Sequence, residues 1–352
     1  MIGRLKSAFR VPRSALPIPR SARYLLPWLL AVGLLVFVAR AIPLAEAWAA
    51  LQRLSWSALA ALAVLNGLVL LALNGRWWII LRAQGQAIPF FSLLRYRLAA
   101  FGVTYFTPGP QFGGEPVQVV LVERRHGVPR ATAVAAVALD KSLELLVNFL
   151  FLAVGVIVVL QQRLFGEMVG GETAVLPFLL LALPFFFLAA TWAGWYPATR
   201  AARLLRRLPL WPRRARWQAR ADRLLAGLQE SEAQATRFCQ SSPAALAAAL
   251  LVSLLSWLLI IAEYGLMLRF LGLELTAVQT IALLTAARIA FLLPLPGGLG
   301  TLEASQALTL SLLGLDPAIG FSASLLIRAR DVGLAAFGLW LVANRPRLTV
   351  NR

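Results

Sequence analysis

Four stretches of this chain run most of the width of a lipid bilayer with almost no charge, and that excludes nearly every soluble architecture. Trp56 to Leu73 and Leu176 to Trp192 contain no Asp, Glu, Lys or Arg, and Ala244 to Leu268 contains only Glu263. Ala131 to Leu160 is longer and carries Asp140, Lys141 and Glu144 in its first half. A hydrocarbon core about 30 Å thick is crossed by about 20 apolar helical residues. Lipid offers a backbone no hydrogen bonds, so each crossing segment must satisfy its own N–H and C=O groups. Composition agrees: 60% of residues are hydrophobic and 14% charged, where soluble domains carry about 25% charged residues. The fold class is an all-α polytopic membrane protein.

The 34 basic residues outnumber the 15 acidic ones, for a net charge of +19. They fall between apolar spans, as the positive-inside rule requires of cytoplasmic segments. Residues 1–23 read as a basic cytoplasmic tail, Tyr24 to Ala39 as the first span, and 344–352 as a second cytoplasmic tail. The Ala39-Arg40-Ala41 triplet has the form of a signal-peptide cleavage site, the alternative for the first span. Ten arginines between Arg200 and Arg237 mark 197–240 as a cytoplasmic loop. Within it Trp217, Ala221, Leu224 and Leu228 fall at helical spacing, as in an interfacial amphipathic helix. Gln161 to Thr173, with Arg163 against Glu167 and Glu172, reads as an outer loop. Together with Ile319 to Val342 this gives about six full spans with both termini in the cytoplasm. The charge does not signal nucleic-acid binding, because no zinc-finger, RNA-binding or soluble basic module accompanies it. A lone Cys239 excludes an internal disulfide, and a lone His126, in the charged run Glu123 to His126, excludes a histidine metal cluster; no metal or cofactor is expected.

Two apolar segments are too short and too charged to cross. Leu93 to Phe106 carries Arg95 and Arg97 and ends at Thr107-Pro108-Gly109-Pro110; Thr276 to Leu293 carries Arg288 and ends at Pro294-Leu295-Pro296-Gly297-Gly298. Proline and glycine at these points stop a helix, and each segment is followed by a second apolar or amphipathic stretch. Helix, break, helix and return to the same side describe a re-entrant hairpin. Pro108 precedes Glu115 by seven residues and Pro296 precedes Glu303 by seven; Glu115 to Asp140 and Glu303 to Arg328 are both 25 residues. The span count makes the first hairpin open from the cytoplasm and the second from outside. The expectation is an inverted-topology repeat, about 56–160 and about 244–343, with a substrate site near mid-membrane at the breaks, all within one transmembrane domain over 24–343.

Pro108 to Glu115 with Asp140-Lys141, and Pro296 to Glu303 with Arg328 and Asp331, resemble the two signatures of a known family. That family is the flippase-like transmembrane domain of the lysylphosphatidylglycerol synthetases and their free-standing relatives. The resemblance implies a lipid-handling domain that moves phospholipid or lipid-linked headgroups between leaflets of the bacterial inner membrane. Two departures stand out: Gln118 occupies a place where relatives carry a base, and Asp140-Lys141 stands where they carry Asp-Arg. The length suits a free-standing member without the aminoacyl-transfer domain.

Charged side chains at mid-bilayer cost about 2.5–3.5 kcal/mol each on insertion scales, so those in the apolar segments need partners and are read as functional, with pairing of Asp140 and Lys141 to neighbouring charges purely to hold helices together as the alternative. The substrate-binding candidates are Arg97, Gly113, Gly114, Glu115, Asp140, Lys141, Glu144, Arg288, Gly297, Gly298, Glu303 and Arg328. Asp140, Glu144 and Asn148 share one helix face. Arg97 and Arg288 are placed to grip a phosphate bidentately, with snorkelling to the interface as the alternative for Arg97. Glu115 and Glu303 are expected to counter those arginines, and Arg328 and Asp331 to form a local salt bridge. The expected function is passive, ion-coupled or partner-driven movement of an anionic phospholipid or polyprenyl or glycolipid, without enzymatic activity. The alternatives are a membrane-embedded lipid-modifying enzyme and an accessory subunit of a lipid or glycolipid pathway. Association as a homo-oligomer or with a pathway enzyme is compatible with either.

Overall fold

A computed structural model of the chain describes residues 54–107, 113–161, 175–207, 215–293 and 295–343, with four more between 48 and 52. The expected tails, the Tyr24 to Ala39 span with its signal-peptide alternative, Pro108 to Phe112, Pro294 and nearly all of the outer loop lie outside the described residues. The described residues form eleven α-helices and no strand. In chain order these are α1 (Trp56–Ala83), α2 (Phe90–Phe106), α3 (Glu115–His126), α4 (Arg130–Gln161), α5 (Val175–Trp192) and α6 (Pro197–Arg207). They continue with α7 (Ala215–Ser241), α8 (Pro243–Phe270), α9 (Ala277–Leu292), α10 (Thr301–Leu312) and α11 (Pro317–Ala343). By length and hydropathy α1, α4 and α8 can each cross a membrane, and α5 with α6, bent by 103°, makes a fourth if taken as one span.

Local sequence sets the ends of these helices. Ser55 caps α1 by accepting from the Ala58 N–H, and Thr276 with Gln279 forms a capping box at α9. Gly127 closes α3 in the left-handed conformation at φ 65°, which costs glycine nothing. α1 continues ten residues past the expected end at Leu73 and so carries Arg76 within it. An arginine in an apolar helix reads from sequence as the start of a loop. Here a carboxylate on α4 compensates it, and the helix goes on.

α1 and α8 pack antiparallel, since Asn66 meets Glu263 at one level and Arg76 meets Ser253 ten residues along each helix in opposite directions. α2 packs on α11 so closely that a Cβ on Gly102 would lie 2.7 Å from the Ala335 carbonyl oxygen, and one on Gly338 2.2 Å from that of Leu98. Small residues permit such backbone approach between membrane helices. α4 packs on α9, with Gly155 against Thr285.

Two apolar clusters occupy the two ends of the α1–α8 pair. One joins Trp77, Ile80 and Leu81 of α1 to Ala249 of α8, Ile88 and Leu93 around the α1–α2 turn, and Val122 in the last turns of α3 with Val128 just after it. The other joins Leu62 of α1 to Tyr264 and Leu268 of α8, Leu271 and Leu273 before α9, and Leu310 at the end of α10. The open ends of the α2–α3 and α9–α10 hairpins therefore lie at opposite ends of the molecule. Their closed ends meet, with the Tyr105 ring of α2 against Gly297.

α7 is the helix expected in the 197–240 loop. Leu224 is 72% exposed, while Ala221, Ala235, Phe238 and Cys239 are buried with Ser231, Glu232 and Thr236. Glu232 accepts from the Ala198 and Thr199 N–H groups at 2.7 and 2.9 Å, neutralising the N-terminus of α6.

Substituting Gly338→Leu is expected to force α2 and α11 apart and lower the melting temperature in detergent by several degrees, whereas Leu71→Ala, at a partly exposed site on α1, should leave it within a degree or two. Melting followed by tryptophan fluorescence or dye binding checks this.

Candidate functional site

A cavity of ≈ 320 Å³ lies where the two hairpins meet, walled by α1, α2, α3, α4, α8, α9 and α11. Nine of its lining residues are charged: Arg97, Glu115, Asp140, Lys141, Glu144, Glu263, Arg288, Arg330 and Asp331.

The first ionic group is centred on Asp140. Its two oxygens accept from the Arg76 Nε and an Arg97 Nη, both at 2.7 Å, so one carboxylate joins α1, α2 and α4. Arg76 also reaches Glu144 at 3.3 Å and the Ser253 hydroxyl on α8. Lys141 lies 2.7 Å from Glu144 and 3.4 Å from Glu115. Counting Arg76, Arg97 and Lys141 against Glu115, Asp140 and Glu144, the group is neutral, as burial of so many ions requires. The other Glu115 oxygen accepts from the Gly113 N–H at 2.8 Å, and the Gly114 N–H donates to the Thr104 hydroxyl at 2.9 Å. A Cβ on Gly114 would collide with the Ala100 carbonyl at 2.0 Å, so only glycine lets α3 start beside the end of α2.

The second group lies across the cavity. Arg330 of α11 bonds Glu263 of α8 at 2.6 Å and Asp331 at 2.9 Å, and Asn66 of α1 donates to Glu263. Behind it, fully buried Glu303 bonds Arg328 at 2.6 Å and accepts from the Gly300 N–H at 2.8 Å. Arg328 donates onward to the Gly297 and Gly298 carbonyl oxygens and to the Tyr105 hydroxyl. Its guanidinium thereby clamps the second break and binds it to α2. Gly297 at φ 54° and Gly298 at φ 64° adopt the left-handed backbone this clamp needs.

Arg288 is different. Its guanidinium carbon sits 4.8 Å from the Trp257 ring centroid, a cation–π distance, and no carboxylate lies within ion-pair distance of it among the described residues. Trp257 is itself stacked on Phe151. No group of His, Cys, Asp and Glu among the described residues is arranged to hold a metal ion.

Residues 24–338 match the family model described as the lysylphosphatidylglycerol synthase TM region. The chain belongs to this family. Neither a curated protein nor a solved structure matches it. A membrane-embedded protein follows from family and helices together.

Of the twelve candidate residues of this family member, Arg97, Gly114, Glu115, Asp140, Lys141, Glu144, Arg288, Gly297 and Gly298 line the cavity; Gly113, Glu303 and Arg328 stand behind it. Several expected pairings are corrected. Glu115 counters Lys141, not Arg97, and Glu303 counters Arg328, not Arg288. Arg328 does not pair with Asp331, whose partner is Arg330: three residues along a helix bring side chains near, but Glu303 offers Arg328 a buried carboxylate from a second element. Arg97 does not snorkel, because Asp140 compensates it in place. Asn148, on the same face of α4 as Asp140, is half-buried. His126 is half-buried, 3.0 Å from the Tyr96 hydroxyl. The sequence reading missed Arg76, Glu263, Arg330 and Tyr105. A charge within an uninterrupted helical stretch was the available signal for the first three; Tyr105 had none.

Cys239 is buried, and burial pushes its thiol up to about 11. Below that value it is protonated, so maleimide labelling of the folded protein at pH 7 is expected to be far slower than in denaturant, as a timed mass-shift assay would read. Asp140→Ala would leave Arg76 and Arg97 without their shared counter-ion at a cost of about 3–5 kcal/mol, seen as loss of monodisperse protein on gel filtration, whereas Asp222→Ala on exposed α7 should have no effect.

Proposed function

We propose that this protein is a lipid translocase whose central cavity receives a phosphate-bearing headgroup while the acyl chains remain in the bilayer. The observation that carries this reading is Arg288: an arginine in a cavity among apolar helices, half-buried over Trp257, with no carboxylate partner. Every other charged residue lining the cavity has an ionic partner within 3.4 Å. A cation so placed is costly in a membrane, and an incoming phosphate satisfies it by the bidentate geometry a guanidinium favours.

The architecture supports the reading. α1 to α4 correspond in order and approximate length to α8 to α11: helices of 28, 17, 12 and 32 residues against 28, 16, 12 and 27. α1 packs on its counterpart α8, while α2 meets α11 and α4 meets α9, the reciprocal pattern of a two-fold relation. We read these as inverted-topology repeats with two re-entrant hairpins, whose rocking opens the cavity to one leaflet and then the other. The arginine-rich 197–240 segment supports a reading with both termini on the cytoplasmic side of a bacterial inner membrane. The reading assigns no catalysis.

Arg288→Gln is expected to slow transbilayer movement of a fluorescent phosphatidylglycerol in proteoliposomes at least ten-fold, with Arg288→Lys intermediate and Arg82→Gln unchanged, measured by dithionite quenching. Equal rates for wild type, Arg288→Gln and empty vesicles contradict the reading.

A further inference from the structure

A second concavity, ≈ 500 Å³, runs along the outside of the site between α3 and α4 and shares Glu115, Val137 and Lys141 with the central cavity. Its floor is one face of α4, Arg130, Val134, Ala138, Lys141 and Leu145, at the four- and three-residue steps that keep side chains in line. Its wall is α3, from Pro116 to Val120. Between Arg130 and Lys141 the lining is apolar. Arg130 is exposed and has no carboxylate partner among the described residues. Eleven residues of helix separate Arg130 from Lys141, about 16 Å, half the thickness of a ~30 Å hydrocarbon core. The groove therefore joins an interfacial cation to a cation at mid-depth.

We propose that this groove is the entry site for one phospholipid, with its phosphate on Arg130 and one acyl chain laid between α3 and α4, and that the Glu115–Lys141 contact is the gate to the central cavity. The proposal rests on the translocase reading for what lies beyond the gate. A phospholipid is the occupant because the groove combines a single uncompensated cation at the interface with an apolar trough of acyl-chain length. Continuity with an ionic cavity supplies the second half of the argument: Glu115, Val137 and Lys141 line both spaces, so a lipid stored here lies against the Glu115–Lys141 contact between them.

That contact is built to open. Lys141 lies 3.4 Å from Glu115 but 2.7 Å from Glu144, so it can release Glu115 and keep a counter-ion. Glu115 in turn keeps the Gly113 N–H. Neither charge is stranded when α3 moves from α4, and the incoming phosphate finds Lys141 at the threshold. Asp140, by contrast, holds two arginines and stays fixed.

The test uses the full chain in vesicles of phosphatidylcholine and phosphatidylglycerol doped with phosphatidylglycerol carrying an acyl-chain diazirine. After photolysis, peptides covering 116–120 and 134–145 are expected to carry at least five-fold more label than the equally apolar, exposed 178–186 segment of α5. Ala138→Trp, which fills the trough, and Arg130→Gln are each expected to cut groove labelling at least three-fold, and Ala138→Trp is expected to leave binding of soluble glycerophosphoglycerol unchanged; Ala138→Leu serves if the tryptophan variant does not fold. Groove labelling no higher than on α5, or unaffected by these variants, overturns the entry site. Groove enrichment without transbilayer movement by wild type leaves the lipid site standing and removes the translocase reading.

Discussion

The structure depends on the carboxylate of Asp140 lying between two arginines. Buried at 3% exposure, it bonds both Arg76 and Arg97 at 2.7 Å and holds them at the same point. Each arginine alone would prevent its helix from resting in an apolar setting; with Asp140 between them, α1, α2 and α4 are joined through charge in a medium that weakens charge little. The same rule recurs at Glu303 with Arg328 and at Glu263 with Arg330. Each ionic contact joins elements that apolar packing alone would leave free to slide, since lipid tails compete for every hydrophobic surface.

From this follows a division of labour. The buried pairs, Asp140 with its arginines and Glu303 with Arg328, fasten the two breaks to the surrounding helices and to each other through Tyr105. The half-exposed groups, Glu115, Lys141, Glu144 and Arg288, face the cavity with slack in their geometry. A translocating site needs both: a frame that does not dissociate as a headgroup passes, and charges that can change partners at small cost. Glycine at 114 and 297 allows the frame to close, because any side chain there would strike the opposite backbone or the Tyr105 ring.

Much of this was legible in the sequence, for reasons that are physical. Long apolar runs admit only helices, so α1, α4, α5, α8 and α11 could be placed to within a few residues, apart from the far end of α1. Pro-Gly motifs after short charged segments marked where α2 and α9 end. Partners were another matter. Which carboxylate meets which arginine depends on crossing distances between helices remote in sequence: Arg76 and Asp140 are 64 residues apart, Asn66 and Glu263 197. The expected span stops at Leu73, short of Arg76, because sequence shows that charge and not its counter-ion. Tyr105 gave no sign at all, since an aromatic residue near a helix end is commonplace and its clamp on Arg328 exists only once the breaks meet.

The central claim is that the two hairpins enter from opposite faces and meet at their breaks. Cysteines placed singly at Ala87, in the turn before α2, and at Ser311, at the end of α10, in a Cys239→Ser background, test it by membrane-impermeant labelling of oriented vesicles. The account predicts that one site labels only from one face and the other only from the opposite face. Labelling of both from the same face would contradict it.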